Sequence, residues 1–244
     1  MKKTLILATN NEHKLMEVRQ ILPSNFEVLS LKDAGINVED VEEDGKTYKA
    51  NSLIKAKHIA KNTNLPVLAD DSGLEIKFLG RKYPGIFTKR YSEMMGGQAK
   101  TNAYLVEKAC KTSFFFNKAK FTCVLTLVNY KNKTYHFKGV MKGKIATSID
   151  GTNGFGYDPI FVAKGYKQTV ASLPQEEKNM ISHRYHALKK LTKFLYQPCE
   201  EICKALISIL ISILSDTQLP PFVVGCFLLK LLFLRDRTAH ASIN

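Results

Sequence analysis

The chain has 244 residues, 45% hydrophobic and 24% charged, which excludes a collagenous, low-complexity or wholly disordered protein. Its five cysteines repeat no spacing, so neither a disulfide scaffold nor a zinc pattern is present. The excess of 36 Lys and Arg over 22 Asp and Glu sets the net charge at +14 and points to an anionic partner: nucleic acid, a membrane surface or a phosphorylated small molecule.

Thr4–Ala8 reads as a short buried strand, because the apolar run after Lys2-Lys3 is too short for an export signal. With no signal expected, the cytosol is the default compartment. Leu15, Val18, Ile21 and Leu22 lie on one face of a helix over His13–Leu22, which Asn10 or Asn11 caps and Pro23 stops. Phe26–Leu31 is a second strand. Strand, polar turn, helix, strand is an α/β signature.

An acidic stretch, Glu39 to Asp44, precedes Gly45, and Tyr48–Lys61 is a second helix. Pro66–Ala69 reads as a strand ending at Asp70-Asp71-Ser72-Gly73, and Leu74–Leu79 as its continuation. Tyr83–Tyr91 is a basic, turn-rich stretch, and Thr101–Ala109 a helix. Ala119–Tyr130 and Lys133–Lys144 form an antiparallel hairpin about Lys131-Asn132. A glycine-rich loop follows at Gly151–Asp158, and the final helix runs over Ser182–Leu195. The expected fold is a mixed α/β domain with a central, partly antiparallel sheet.

Five clusters carry candidate chemistry. Thr9-Asn10-Asn11-Glu12-His13-Lys14 joins a strand to a helix N-terminus, where free amides and the helix dipole favour phosphate; the alternative is a plain helix cap. Glu42-Glu43-Asp44-Gly45 offers oxygen ligands to Mg²⁺, or is a solvated loop. Asp70-Asp71-Ser72-Gly73 places two carboxylates at a strand end, where α/β sheets hold ligands; the alternative is an Asx-type turn. In the glycine loop, Phe155 and Tyr157 could stack on a base and Asp158 could accept from a ring nitrogen. Lys178, with Ser182-His183-Arg184 at the start of the last helix, supplies donors against the helix dipole. His58 and His136 read as structural. No Walker loop and no nucleophile elbow occur in the sequence.

Taken in order, TNNEHK at 9–14, EEDGKTYKANSLIKA at 42–56, LADDSGL at 68–74, PGIFTKRY at 84–91, GTNGFGYDPIF at 151–161 and EEKNMISHRYHALKKL at 176–191 resemble the inosine triphosphate pyrophosphatase family. Its members are also called non-canonical purine NTP pyrophosphatases or XTP/dITP diphosphatases. The resemblance implies an elongated, two-lobed α/β domain with a mixed central sheet and a nucleotide cleft between the lobes. It also implies a homodimer and Mg²⁺-dependent hydrolysis of ITP, dITP and XTP to the monophosphate and pyrophosphate. Carried over residue by residue, it makes Asp71 the general base and Glu42 with Asp71 the metal carboxylates. Thr9, Asn11 and Lys14 become the phosphate-binding turn, Asn10 and Ser72 substrate contacts, and Phe155, Gly156, Tyr157, Asp158, Lys178, His183 and Arg184 purine-side contacts. His183 or Arg184 would donate to the 6-carbonyl that distinguishes these purines from adenine. The chain departs from the family at Ala50-Asn51-Ser52, commonly Glu-Asn-Ala, and at Thr88-Lys89-Arg90, commonly Ser-Ala-Arg.

The resemblance spans residues 1–196. From 197 the chain holds four basic and four acidic residues, so the whole positive charge lies before it. Residues 197–244 form an apolar extension, read as an interfacial anchor, a partner-binding helix pair or a non-native segment; the abrupt change in composition favours the last. Its apolar runs are shorter than a membrane span requires, so membrane contact is not favoured. A nucleic-acid-binding module is the rival class, with salt-dependent binding as its signature, but no basic aromatic platform supports it and no nucleic-acid partner is expected. Within the enzyme class, the alternative is a pyrophosphatase for other modified nucleotides.

Overall fold

The computed structural model describes residues 3–196 except Asp40, Arg81, Lys82 and Phe114. The expectations for 197–244 lie outside the described residues.

Six strands form one sheet: β1 Lys3–Leu7, β2 Phe26–Leu29, β3 Val67–Ile76, β4 Lys118–Tyr130, β5 Lys133–Ile145 and β6 Phe161–Ala163. Their order is β2-β1-β3-β4-β5-β6. The first three pair in parallel, and β3 to β6 pair antiparallel. The mixed, partly antiparallel sheet expected from the sequence is therefore present. Six α-helices accompany it among the described residues: α1 Glu12–Ile21, α2 Tyr48–Ala60, α3 Thr88–Met94, α4 Gln98–Cys110, α5 Gln175–Ile181 and α6 His183–Tyr196.

Helix α2 lays Ala56 and Ile59 against Ile6, Val67, Ala69 and Val128. A second apolar cluster joins Leu74, Ile76, Leu105, Phe121, Met141 and Phe161. Lys131 and Asn132 take the left-handed backbone expected of a tight hairpin turn between β4 and β5.

Four expectations are corrected. Asp70-Asp71-Ser72-Gly73 is not a turn but the middle of one ten-residue strand, β3, whose every residue pairs with β4. Continuous pairing keeps the backbone extended, and the carboxylates are tolerated there because cations meet them. Residues 77–79 leave the sheet as a 3₁₀ turn. The basic stretch around Lys89-Arg90 is helix α3. Lys178 belongs to α5, a helix of its own, and Ser182 separates it from α6 while accepting the Tyr185 N–H through its hydroxyl.

The pairing of β3 positions the site. β1 meets it only at Val67 and Leu68. Further along that edge, contact resumes where Leu74 N–H donates to Thr88 Oγ1 and Glu75 bridges Pro84. Between these points, residues 70–73 face a gap. Gly73 is required there: a Cβ would collide with the Gly85 carbonyl and the Thr88 hydroxyl.

Candidate active site

A cavity of about 1000 Å³ opens beside this gap, and the residues that the family resemblance carries over line it: Thr9, Asn10, Asn11, Lys14, Glu42, Asp71, Ser72, Phe155, Gly156, Tyr157, Asp158, Lys178, His183 and Arg184. It lies within the range of a small-molecule site.

The turn before α1 is built from its own side chains. Asn11 caps the helix by accepting the Lys14 N–H at 3.1 Å, and Thr9 Oγ1 accepts the Asn11 N–H at 3.1 Å. These two side chains therefore shape the turn, and the first-turn amides and Lys14 are what it offers an anion.

Strand alternation sends Asp70 and Ser72 to one face of β3 and Asp71 to the other. Asp70 is fully buried and lies below the cavity. Burial alone would raise its pKa, but Arg184, with Nε at 2.6 Å, and Lys14, with Nζ at 3.2 Å, hold it well below the usual carboxylate range. Asp71 faces α2. Burial pushes its pKa up to about 6, with Glu43 and Asp70 adding to the rise and Lys55 opposing it from 3.7 Å. Its Oδ2 is buried without a hydrogen-bond partner.

Six buried or half-buried charges form one alternating chain beneath the cavity. Lys14 meets Asp70, Asp70 meets Arg184, Arg184 meets Glu17, Glu17 meets Lys178 at 3.4 Å, and Lys178 meets Asp158 at 2.7 Å. Each charge has an opposite neighbour, which is the condition for burying it. Glu17 was not among the sequence candidates. Its signal was its place three residues after Lys14, which puts both on one side of α1.

Arg184 is 1% exposed. Its three nitrogens are directed to Asp70, Glu17 and the Ser72 hydroxyl, which also offsets the cost of a cation in the first turn of α6. Of the two, His183 is therefore the one with an uncommitted ring nitrogen. His183 stacks on Phe121 with ring centroids 4.9 Å apart, and its Nδ1 is buried without a partner. Burial, with Arg184 adding to the effect, pushes its pKa well below the ordinary value, so the imidazole is neutral at pH 7.

In the glycine loop, Tyr157 is a core residue whose hydroxyl donates to the Thr88 carbonyl at 3.0 Å. Asp158 accepts the Phe155 N–H at 3.0 Å and pairs with Lys178. Phe155 alone of the three is only half-buried.

The acidic loop reaches the cavity through Glu42 and Glu43. Glu43 meets Lys55 at 3.2 Å, and Lys55 in turn approaches Asp71; Arg90 donates to the Glu43 carbonyl. Lys55 was missed by the sequence reading because a lone lysine on an amphipathic helix carries no motif, whereas Glu43 lay in the acidic run singled out for Mg²⁺. No cluster of three or more His, Cys, Asp or Glu side chains suited to a metal occurs among the described residues. The unpartnered Asp71 oxygen beside acidic neighbours nevertheless fits a hard cation, since Mg²⁺ takes one or two carboxylates and completes its shell with phosphates and water.

Both family departures are accommodated locally. Ser52 shares a 2.6 Å hydroxyl bond with Thr126, and Thr88 closes the gap at Leu74. Ala50 costs a contact: Thr47 caps α2 by accepting the Ala50 N–H, but a methyl cannot return the bond as Glu would.

The family model of the Ham1 family matches residues 5–194. The chain belongs to the Ham1 family. A relative from Clostridium perfringens, named dITP/XTP pyrophosphatase, is 43% identical over 196 residues, covering 78% of this chain and 95% of that protein. A relative of the same name from Bacillus subtilis is 41% identical, with 79% and 97% covered. Among solved structures, a HAM1 protein from Coxiella burnetii matches with a TM-score of 0.68 at 38% identity, covering 80% of this chain and 98% of that one. The Staphylococcus aureus Ham1 protein matches with a TM-score of 0.66 at 36% identity, with 79% and 98% covered.

Proposed function

We propose that this chain hydrolyses non-canonical purine nucleoside triphosphates, ITP, dITP and XTP, to the nucleoside monophosphate and pyrophosphate, removing them from the nucleotide pool. Ham1 membership and relatives named dITP/XTP pyrophosphatase support the reaction. The observation that carries it to particular residues is one cavity holding both Asp71, a buried carboxylate with an oxygen that no protein donor meets, and Lys14 at the N-terminus of α1.

In this reading the triphosphate lies along the α1 turn. Lys14, held in place by Asp70, and the first-turn amides bind its oxygens and offset the charge that builds as the α–β phosphoanhydride bond breaks. Asp71 takes a proton from the attacking water through the oxygen that no protein donor occupies. Asp71 and Glu42 would hold Mg²⁺, which polarises phosphoryl oxygens when bound. Lys55 neutralises Glu43 and orients Asp71. At the other end, Phe155 offers its ring to the base, the Lys178–Asp158 pair fixes the loop, and neutral His183 donates to the purine carbonyl. An adenine amino group there would leave that donor facing another donor, which is the basis of rejection.

The active unit is residues 1–196, acting as a homodimer in the cytoplasm. No helix among the described residues is long and apolar enough to cross a membrane. The test is product analysis with ITP, XTP, ATP and GTP plus Mg²⁺, with size-exclusion chromatography for the dimer. IMP and pyrophosphate from ITP, with ATP spared, is the expected result. Orthophosphate as the product, or equal turnover of ATP, would overturn the reading.

A further inference from the structure

Phe155 lies between Gly154 and Gly156, whose backbones are both left-handed, with φ of 92° and 64°. Glycines on either side leave the ring's direction undetermined by the backbone. Side chains determine it instead. The His13 imidazole stacks on the ring at a centroid distance of 5.1 Å and an interplanar angle of 11°. Lys178 Nζ lies 5.5 Å from the ring centroid, and Asp158 holds the Phe155 N–H. Phe155 and Lys178 line the cavity, whereas His13 does not. The imidazole therefore supports the phenyl ring from outside the space a nucleotide would fill.

His13 is also the residue before Lys14, on the first turn of α1. One turn of helix thus carries the phosphate-side lysine and the contact that steadies the base-side aromatic. We propose that His13 is a positioning residue for base recognition: by stacking on Phe155 it presents that ring to the purine and ties the base-side loop to the phosphate-side turn. This rests on the cavity being a purine nucleotide site. His13 touches no substrate, and its effect passes through Phe155.

The experiment compares the full-length wild type with His13→Ala and His13→Phe, using steady-state ITP hydrolysis and inhibition by tripolyphosphate, which has the phosphates without a base. His13→Ala should raise KM for ITP about three- to tenfold, the range expected for one lost aromatic stack, with kcat nearly unchanged. Tripolyphosphate inhibition should stay at the wild-type level, and His13→Phe should restore KM. The proposal is overturned by an unchanged KM in His13→Ala, by an equal weakening of tripolyphosphate (which would mark a disturbed α1 turn), or by failure of the phenylalanine to rescue. A wild type that neither binds nor hydrolyses ITP would instead overturn the proposed function, and this inference with it.

Discussion

Asp70 and Asp71 are consecutive on β3, yet Arg184 and Lys14 hold the first carboxylate ionised while the second keeps a buried oxygen without a partner. The pleat separates them: Asp70 anchors cations under the cavity, and Asp71 opens into it. Three predictions follow from this division and from the helix that faces it.

Asp71→Asn should slow turnover sharply and stabilise the ligand-free protein. Loss of a general base lowers the rate by about 10²- to 10⁴-fold. The folded-state pKa of Asp71 is raised to about 6, above its unfolded value. Its contribution to stability is therefore full at low pH and lost as pH rises through about 6. At pH 8 the ionised group costs roughly 1–3 kcal/mol, which the neutral amide recovers. Thermal melts at pH 5 and pH 8 check this: the variant's advantage should appear at pH 8 and shrink at pH 5. A lower melting temperature for the variant at pH 8 would contradict it.

Asp70→Asn should have the opposite effect on stability. It leaves the buried Arg184 charge short of a partner, a loss of about 3–5 kcal/mol. Because the pKa of Asp70 is depressed, the wild-type advantage is present above the unfolded carboxylate range, near pH 4. It is lost as pH falls toward the folded value. Urea unfolding at pH 7 and pH 3 should show a large gap that narrows in acid. Activity should fall as well, since Lys14 loses its anchor.

Ala50→Glu should stabilise α2. Thr47 already accepts the Ala50 N–H at 3.1 Å, and a glutamate would return a bond to the Thr47 N–H, completing a capping box. The expected gain is about 0.3–1.5 kcal/mol, read as a higher urea midpoint with an unchanged slope. No gain would show that the new carboxylate is opposed by the acidic loop beside it.

Much of the site was legible before the fold. Lys14, Asp71, Phe155, Lys178 and His183 stood out because each sits in a short run whose chemistry is local: a helix cap, paired carboxylates, a glycine loop, a basic helix start. Elements with a strong period, such as α1, α2 and the β4–β5 hairpin, were also evident. Those that depend on pairing were not. A strand holding Asp-Asp-Ser-Gly reads as a turn until β4 is seen beside it, and the seven-residue helices α3 and α5 are too short for a periodic signal.

By itself the sequence determined the α/β class, the order of the motifs and the residue types that gather at the cavity, because these follow from composition and spacing along the chain. Only the tertiary structure decided what each charged group does. Asp70 and Asp71 differ through the face of β3 each occupies, Arg184 is engaged by Asp70 and Glu17, and Glu17 joins the two ends of the cavity across 167 positions of sequence separation from Arg184. Burial and charge pairing are properties of neighbours in space, and the linear chain carries no record of them until it folds.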